Sequence, residues 1–234
     1  EYTVRSAYVD LWQEPAAFLP EAARWNMPEP TKADVEEQMP HIRFTPYLKV
    51  LAQELKGEET DTLAVARRIY DYITGHVNYS YMRAYALIPD IPQYCARNLR
   101  GDCGVQALLF ITLCRICGIP ARWQSGLYTN PVRSGPHDWA LFYTKEYGWR
   151  PVDPSFGGSA RRAGDEPRRR LYFGNIDPFR MTANHAFQHA FSVKKSFMRT
   201  DPYDNQCGEL ESDRCGFTDN EIETAQELIS VTIR

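Results

Sequence analysis

The run "LRGDCGVQALLFITLCRICGIPAR", Leu99–Arg122, holds three of the chain's six cysteines. Cys103 follows Gly101 and Asp102 at the first turn of a helical pattern. A thiol at that address meets backbone N–H groups that have no acceptor within the helix, and the positive end of the helix dipole favours its thiolate. The sequence therefore predicts a cysteine more acidic than a free thiol. The same N–H groups suit a developing oxyanion. A bland reading stands beside this one, in which Cys103 is a small apolar residue at a helix start.

A thiolate nucleophile needs a general base or ion-pair partner, usually histidine. The chain has five: His41, His76, His137, His185 and His189. His76 follows Gly75 and suits a helix end. His185 and His189 lie four apart, a spacing that suits two metal ligands, but no third ligand follows at a recognisable interval, so no metal site is expected. His41 sits among prolines and carries no signal. His137 opens the strand-like run "HDWALFYT", and the next run, "YGWRPVD", ends in Asp153. Aspartate is the usual group that fixes the tautomer and orientation of a histidine base.

Side chains alternate along a strand, so His137 shares a face with Trp139, Leu141 and Tyr143, and Asp153 with Trp149 and Pro151. These sets are richer in large apolar groups than the opposite ones, where Asp138, Ala140 and Phe142 fall. Both histidine and aspartate are therefore expected to face inward. A turn centred on Lys145 sets them directly opposite each other; a one-residue slip separates them by a face.

The elements that must position these groups are legible in outline. "TDTLAVARRIYDYITGHV" reads as a helix capped by Thr60 or Asp61 and ended at Gly75. The cysteine helix takes Asp102 as N-cap, Cys103 as its first residue and Gly118 as its stop. Cys103, Ala107, Phe110, Cys114 and Cys117 form one stripe on it, which assigns Cys114 and Cys117 to packing. "ARWQSGLY", "HDWALFYT" and "YGWRPVD" read as strands, the last two as an antiparallel hairpin. Residues 1–12 suggest a strand. Residues 31–56 are weakly helical, broken by Pro40 and Pro46. "NYSYMRAYALIPDIPQYCARNL" is irregular. "GGSARRAGDEPRRR" reads as a solvated loop, "LYFGNIDPFR" as a turn with a short anchor, and "EIETAQELISVTIR" as a final strand or helix.

The 234 residues, 43% hydrophobic and 24% charged, suffice for a core. A net charge of −3 argues against nucleic acid or an anionic membrane as the main partner. No apolar run approaches the roughly 20 residues of a membrane span. The chain begins at Glu1 rather than Met, which reads as a processed protein or an excised domain. Cys207 and Cys215 flank a loop that a disulfide would close in an oxidising compartment, while Cys95 has no evident mate.

Three separated blocks, "GDCGVQALLFITLCRICGIPARWQSG", "HDWALFY" and "GWRPVDPSFG", resemble the core of the transglutaminase-like superfamily. Its members include animal transglutaminases, peptide N-glycanases and many bacterial proteins regarded as cysteine proteases; sequences of the bacterial type also carry something similar to "YFGNIDPFR". The resemblance covers residues 60–158. It implies an α+β, papain-like fold with the catalytic cysteine at a helix start, packed against antiparallel strands. It further implies a Cys-His-Asp triad on Cys103, His137 and Asp153, with no cofactor. In the family an upstream side chain, often aromatic, completes the oxyanion hole; Tyr79, Tyr81, Gln93 and Tyr94 all qualify. The paired-cysteine zinc sites of the N-glycanases and the calcium sites of the animal enzymes have no counterpart here.

The chain is thus expected to comprise an N-terminal accessory segment, 1–56, and a catalytic domain with a C-terminal extension, 57–234. Its expected chemistry is acyl transfer on a peptide or protein substrate through a thioester, resolved by water. Resolution by an amine gives a cross-linking enzyme instead. A non-catalytic binding module and an arylamine acetyltransferase are the other readings. A periplasmic or extracellular location is expected ahead of a cytoplasmic one.

Overall fold

The computed structural model describes residues 8–12, 25–200, 203, 206, 208–218, 220–223, 225, 227 and 229–232. They fall into two compact units. The larger takes in the described residues as far as Trp123, together with Asp138–Pro178; the smaller takes in Gln124–His137 and the described residues from Phe179 onward. The fold is α+β, helices with an antiparallel sheet.

In the larger unit, α1 (Pro46–Lys56) begins at Pro46 rather than being broken by it. Proline at the first helical position gives up only an N–H that has no helical acceptor there. Helix α2 (Thr62–His76) is capped by Asp61, whose carboxylate accepts from the Leu63 and Ala64 N–H groups. It buries Val65, Ala66, Ile69, Tyr70 and Ile73. The stretch read as irregular contains β1 (Asn78–Tyr79), a 3-10 turn (Tyr85–Leu87), α3 (Ile91–Asn98) and β2 (Arg100–Gly101). Helix α3 carries its own signals, an Asp90 cap and Pro92 in its first turn, which its short length obscures. Strands β1 and β2 pair in parallel, Asn78 with Arg100 and Tyr79 with Gly101.

Helix α4 (Cys103–Ile116) matches the reading at both ends. Asp102 is its N-cap and Gly118, at φ 79°, follows its end. Every residue from Gly104 to Arg115 is buried. The expected stripe is therefore the face of a helix surrounded on all sides, as α1, α2, α3 and α5 all pack on it.

Strand β3 (Ala121–Asn130) opens in this unit, where the Tyr143 N–H donates to the carbonyl of Pro120. The hairpin of β4 (Arg133–Thr144) and β5 (Gly148–Val152) is antiparallel as expected. Its register runs from Thr144 opposite Gly148 to Ala140 opposite Val152, so the turn centres on Glu146 and not on Lys145. Gly148, at φ 65°, supplies the left-handed step, and the Thr144 hydroxyl accepts from the Tyr147 N–H. The ladder sets Trp139, not His137, across from the position of Asp153. A shift of two residues preserves the faces.

Phe142 meets Phe110 of α4 edge-on at 6.0 Å and stacks on Phe173 at 5.1 Å. The face of β4 toward the cysteine helix thus carries Asp138, Ala140 and Phe142, the set that alternation alone assigned to the far side. The other face is covered too. Tyr143 packs edge-on against Trp149, and the Trp149 indole N–H donates to the carbonyl of Pro28.

"GGSARRAGDEPRRR" is not a loop. It supplies most of α5 (Pro154–Arg162) and α6 (Glu166–Leu171), capped by Asp153 and Asp165 with proline in each first turn. In "LYFGNIDPFR" the anchor is Asn175, whose amide exchanges two hydrogen bonds with the backbone of Val9. Tyr8–Trp12 end in a turn rather than a strand, and the rest of that N-terminal strand lies outside the described residues.

In the smaller unit, β3 pairs antiparallel with β6 (Arg180–Asn184), with an irregularity at Ser125 and Gly126. The described residues from Glu221 on form neither helix nor strand. The Cys207–Cys215 pairing involves Cys207, which lies outside the described residues.

Candidate active site

The parallel pairing of β1 with β2 holds the backbone up to Gly101, and α4 starts directly after it. Asp102 then accepts from the Val105 N–H at 3.0 Å, so the first turn is capped and Cys103 sits at its first position. The Gln106 amide donates to the carbonyl of Gly101 at 2.8 Å and ties the turn back to the strand.

Two groups absent from the sequence reading crowd this turn. The Cys103 S–H donates to Asp138 Oδ2 at 3.4 Å, and Asp138 is 2% exposed. The Tyr85 hydroxyl donates to Asp102 Oδ1 at 2.6 Å. Gly104 makes room for both. A Cβ there would fall inside contact distance of the Tyr85 hydroxyl, 2.6 Å from Asp138 Oδ2 and 2.9 Å from the Trp123 ring.

The electrostatics depart from the expectation of an acidic thiol. Burial pushes the Cys103 thiol well above the usual cysteine range. The carboxylates of Asp138 and Asp102 push the same way, and that of Asp153 adds to them, while the Asp138 backbone N–H opposes. Three acids folded around the helix start thus oppose its dipole. Burial and the same two acids, Asp138 and Asp102, also raise the Tyr85 phenol.

Asp153 is fully buried in the larger unit. Its Oδ1 accepts from the Ser155 hydroxyl at 2.8 Å and from the Phe156 N–H at 3.0 Å, so this carboxylate also caps α5. His137 belongs to the smaller unit and is buried. Its backbone N–H donates to Gln206 Oε1 at 3.0 Å, and its ring lies 6.3 Å from that of Tyr128. Cys103 and Asp153 thus share one unit, and His137 precedes Asp138 at the point where the chain enters it.

Among the aromatic candidates for the oxyanion, Tyr81 is 81% and Tyr79 43% exposed, and the Tyr94 hydroxyl accepts from Arg100. Tyr85 is the tyrosine held at the helix start. His185 and His189 do not share a helix. His185 Nδ1 bonds with the Gln124 amide, and His189 Nδ1 with the carbonyl of Ala190. One signal in the sequence points to Asp138: it is a carboxylate directly before the apolar run Trp139–Phe142, and a buried carboxylate requires a partner.

Residues 49–154 match the model of the transglutaminase-like superfamily. The stretch contains Cys103, Asp138 and Asp153, with their elements in order. This part of the chain is similar to transglutaminase-like domains. No curated protein matches the sequence. A crystal structure of a candidate cysteine protease from Cytophaga hutchinsonii aligns with 53% of this chain and 41% of its own, at 22% identity and a TM-score of 0.44. The periplasmic domain of TgpA from Pseudomonas aeruginosa aligns with 58% of this chain and 49% of its own, at 20% identity and a TM-score of 0.45. The chain spans less than half the length of either. Among the described residues, no helix is long and apolar enough to cross a membrane.

Proposed function

We propose that this chain is a cysteine-dependent acyl-transfer enzyme that hydrolyses a peptide or amide bond through a thioester. The observation that carries this reading is the family match over a stretch whose Cys103 occupies the first position of a capped helix. His137 takes the Cys103 proton, and the sulfur attacks the substrate carbonyl. The tetrahedral oxyanion is held by N–H groups of the first turn of α4. The His137 imidazolium then gives its proton to the leaving amine as the C–N bond breaks, which leaves the thioester. Water, losing a proton to His137, adds to the thioester; the acid departs and the thiol re-forms. Asp153 orients His137 and stabilises its charge.

The acids around Cys103 give His137 a second task. They disfavour a thiolate, and an imidazolium beside the sulfur offsets them. His137 also directly precedes Asp138, whose carboxylate meets the sulfur.

Incubating the full chain with a glutamine-containing peptide and a primary amine, and reading products by mass, tests the outcome. Hydrolysis of the peptide without amine incorporation is expected; an amine adduct assigns cross-linking instead. Cys103→Ala should abolish product, and His137→Ala should cut kcat by about 10²–10⁴-fold with the fold intact. Full activity in either variant overturns the triad.

A further inference from the structure

We propose that Asp138 is the resting partner of the nucleophile: its carboxylate accepts the Cys103 S–H and holds the sulfur as a neutral, restrained thiol in the empty enzyme. The proposal rests on the reading of Cys103 as the nucleophile and deepens it by assigning a restraint at the same site.

Three observations carry it. The sulfur–carboxylate contact at 3.4 Å joins a half-buried thiol to an acid that is 2% exposed. Water therefore screens the pair little. The geometry is built for closeness, because Gly104 brings the backbone of the first turn against Asp138 Oδ2 with no Cβ between them. Finally, three carboxylates of the larger unit act on the thiol in the same sense. Asp138 comes from β4, Asp102 from the start of α4 and Asp153 from the β5–α5 junction. The fourth neighbour, Tyr85 from the 3-10 turn, is neutral and donates its hydroxyl hydrogen bond to Asp102.

A carboxylate that accepts an S–H bond favours the protonated sulfur, because ionisation would set two anions against each other. Asp138 also presents its backbone N–H, which acts in the opposite sense. Its side chain is thus the restraining part and its main chain the supporting part. Asp138→Asn separates them, since it removes the charge and keeps the shape and the N–H. The proton stays on sulfur until the base withdraws it, so the restraint lowers the reactivity of the idle thiol toward electrophiles. Asp138 acts through Cys103 and is a positioning residue.

The test is the rate of Cys103 alkylation by iodoacetamide across pH 5–10, read by peptide mass so that the other five cysteines do not contribute. No substrate is needed, so the result is independent of whether the enzyme hydrolyses or cross-links. The expected result for Asp138→Asn is an alkylation midpoint at lower pH and a faster rate at pH 7, tenfold for each unit of midpoint moved. Asp138→Glu, which restores the charge, should return the profile toward that of the parent. An unchanged midpoint in Asp138→Asn overturns the proposal. A midpoint moved upward also overturns it and makes Asp138 the group that activates the thiol. Loss of the fold in both variants makes Asp138 a structural support and overturns the restraint equally. Failure of the acyl-transfer reading appears elsewhere, as intact peptide in the amide assay.

Discussion

Cys103 shows how a local rule and its surroundings pull apart. The helix start favours the anion by a fraction of a charge, while Asp138, Asp102 and Asp153 oppose it with whole ones. Because the folded thiol lies above the usual cysteine range, its reactive fraction grows as pH rises. The acid limb of wild-type alkylation should therefore sit at higher pH than that of a free cysteine in the same assay. Gly104 makes a second claim at this scale. Gly104→Ala would press a methyl group into the Tyr85 hydroxyl, Asp138 Oδ2 and the Trp123 ring. Overpacking of this kind costs about 1–3 kcal/mol, and the chevron or urea midpoint should fall accordingly. The same variant should move the Cys103 alkylation profile, because the carboxylate must shift to admit the methyl.

At the scale of elements, caps decided most of what could be read. Asp61, Asp102, Asp153 and Asp165 each accept an N–H from the first turn of a helix. Asp61→Ala tests the rule away from the site: it should cost about 1 kcal/mol in denaturant unfolding and leave peptide hydrolysis unchanged. The five arginines of "GGSARRAGDEPRRR" suggest a solvated loop. Arg169 is instead buried, gripping Glu166 at 2.7 Å and Asp71 at 2.5 Å. The Asp-Pro and Asp-Glu-Pro steps were helix starts in plain view. The hairpin was legible as a hairpin and not in its register, because the turn length depends on Gly148 taking a positive φ and on the Thr144 hydroxyl closing the loop.

At the scale of the whole chain, long-range pairs join segments that the sequence separates widely. Arg122 donates to Asp34 through Nε at 2.6 Å and through a terminal nitrogen at 2.8 Å, and its guanidinium lies 4.2 Å from the centre of the Trp149 ring. Burial alone pushes the Asp34 carboxyl up, but Arg122 and the Thr31 N–H and hydroxyl bring its pKa below the ordinary value. A depressed folded pKa gives stability that is complete above the unfolded value, about 3.9, and is lost as pH falls through the folded one. Asp34→Asn leaves Arg122 without its charge partner and should lower stability by about 3 kcal/mol at pH 7. The difference from the parent should shrink in thermal melts below pH 4.

What the linear order determined was local: the cysteine at a capped helix start, the two long helices, the hairpin and the family blocks. Each depends on residues within a few positions of one another, where spacing and hydrogen bonding between neighbours suffice. The tertiary structure decided which face of β4 meets α4. Both faces are buried, so apolar alternation carried no information about it. It also decided that Asp138 and Tyr85 join the cysteine. Those contacts link positions 35 and 18 residues away from Cys103, and only packing, which fixes distances that sequence separation leaves open, brings such groups together.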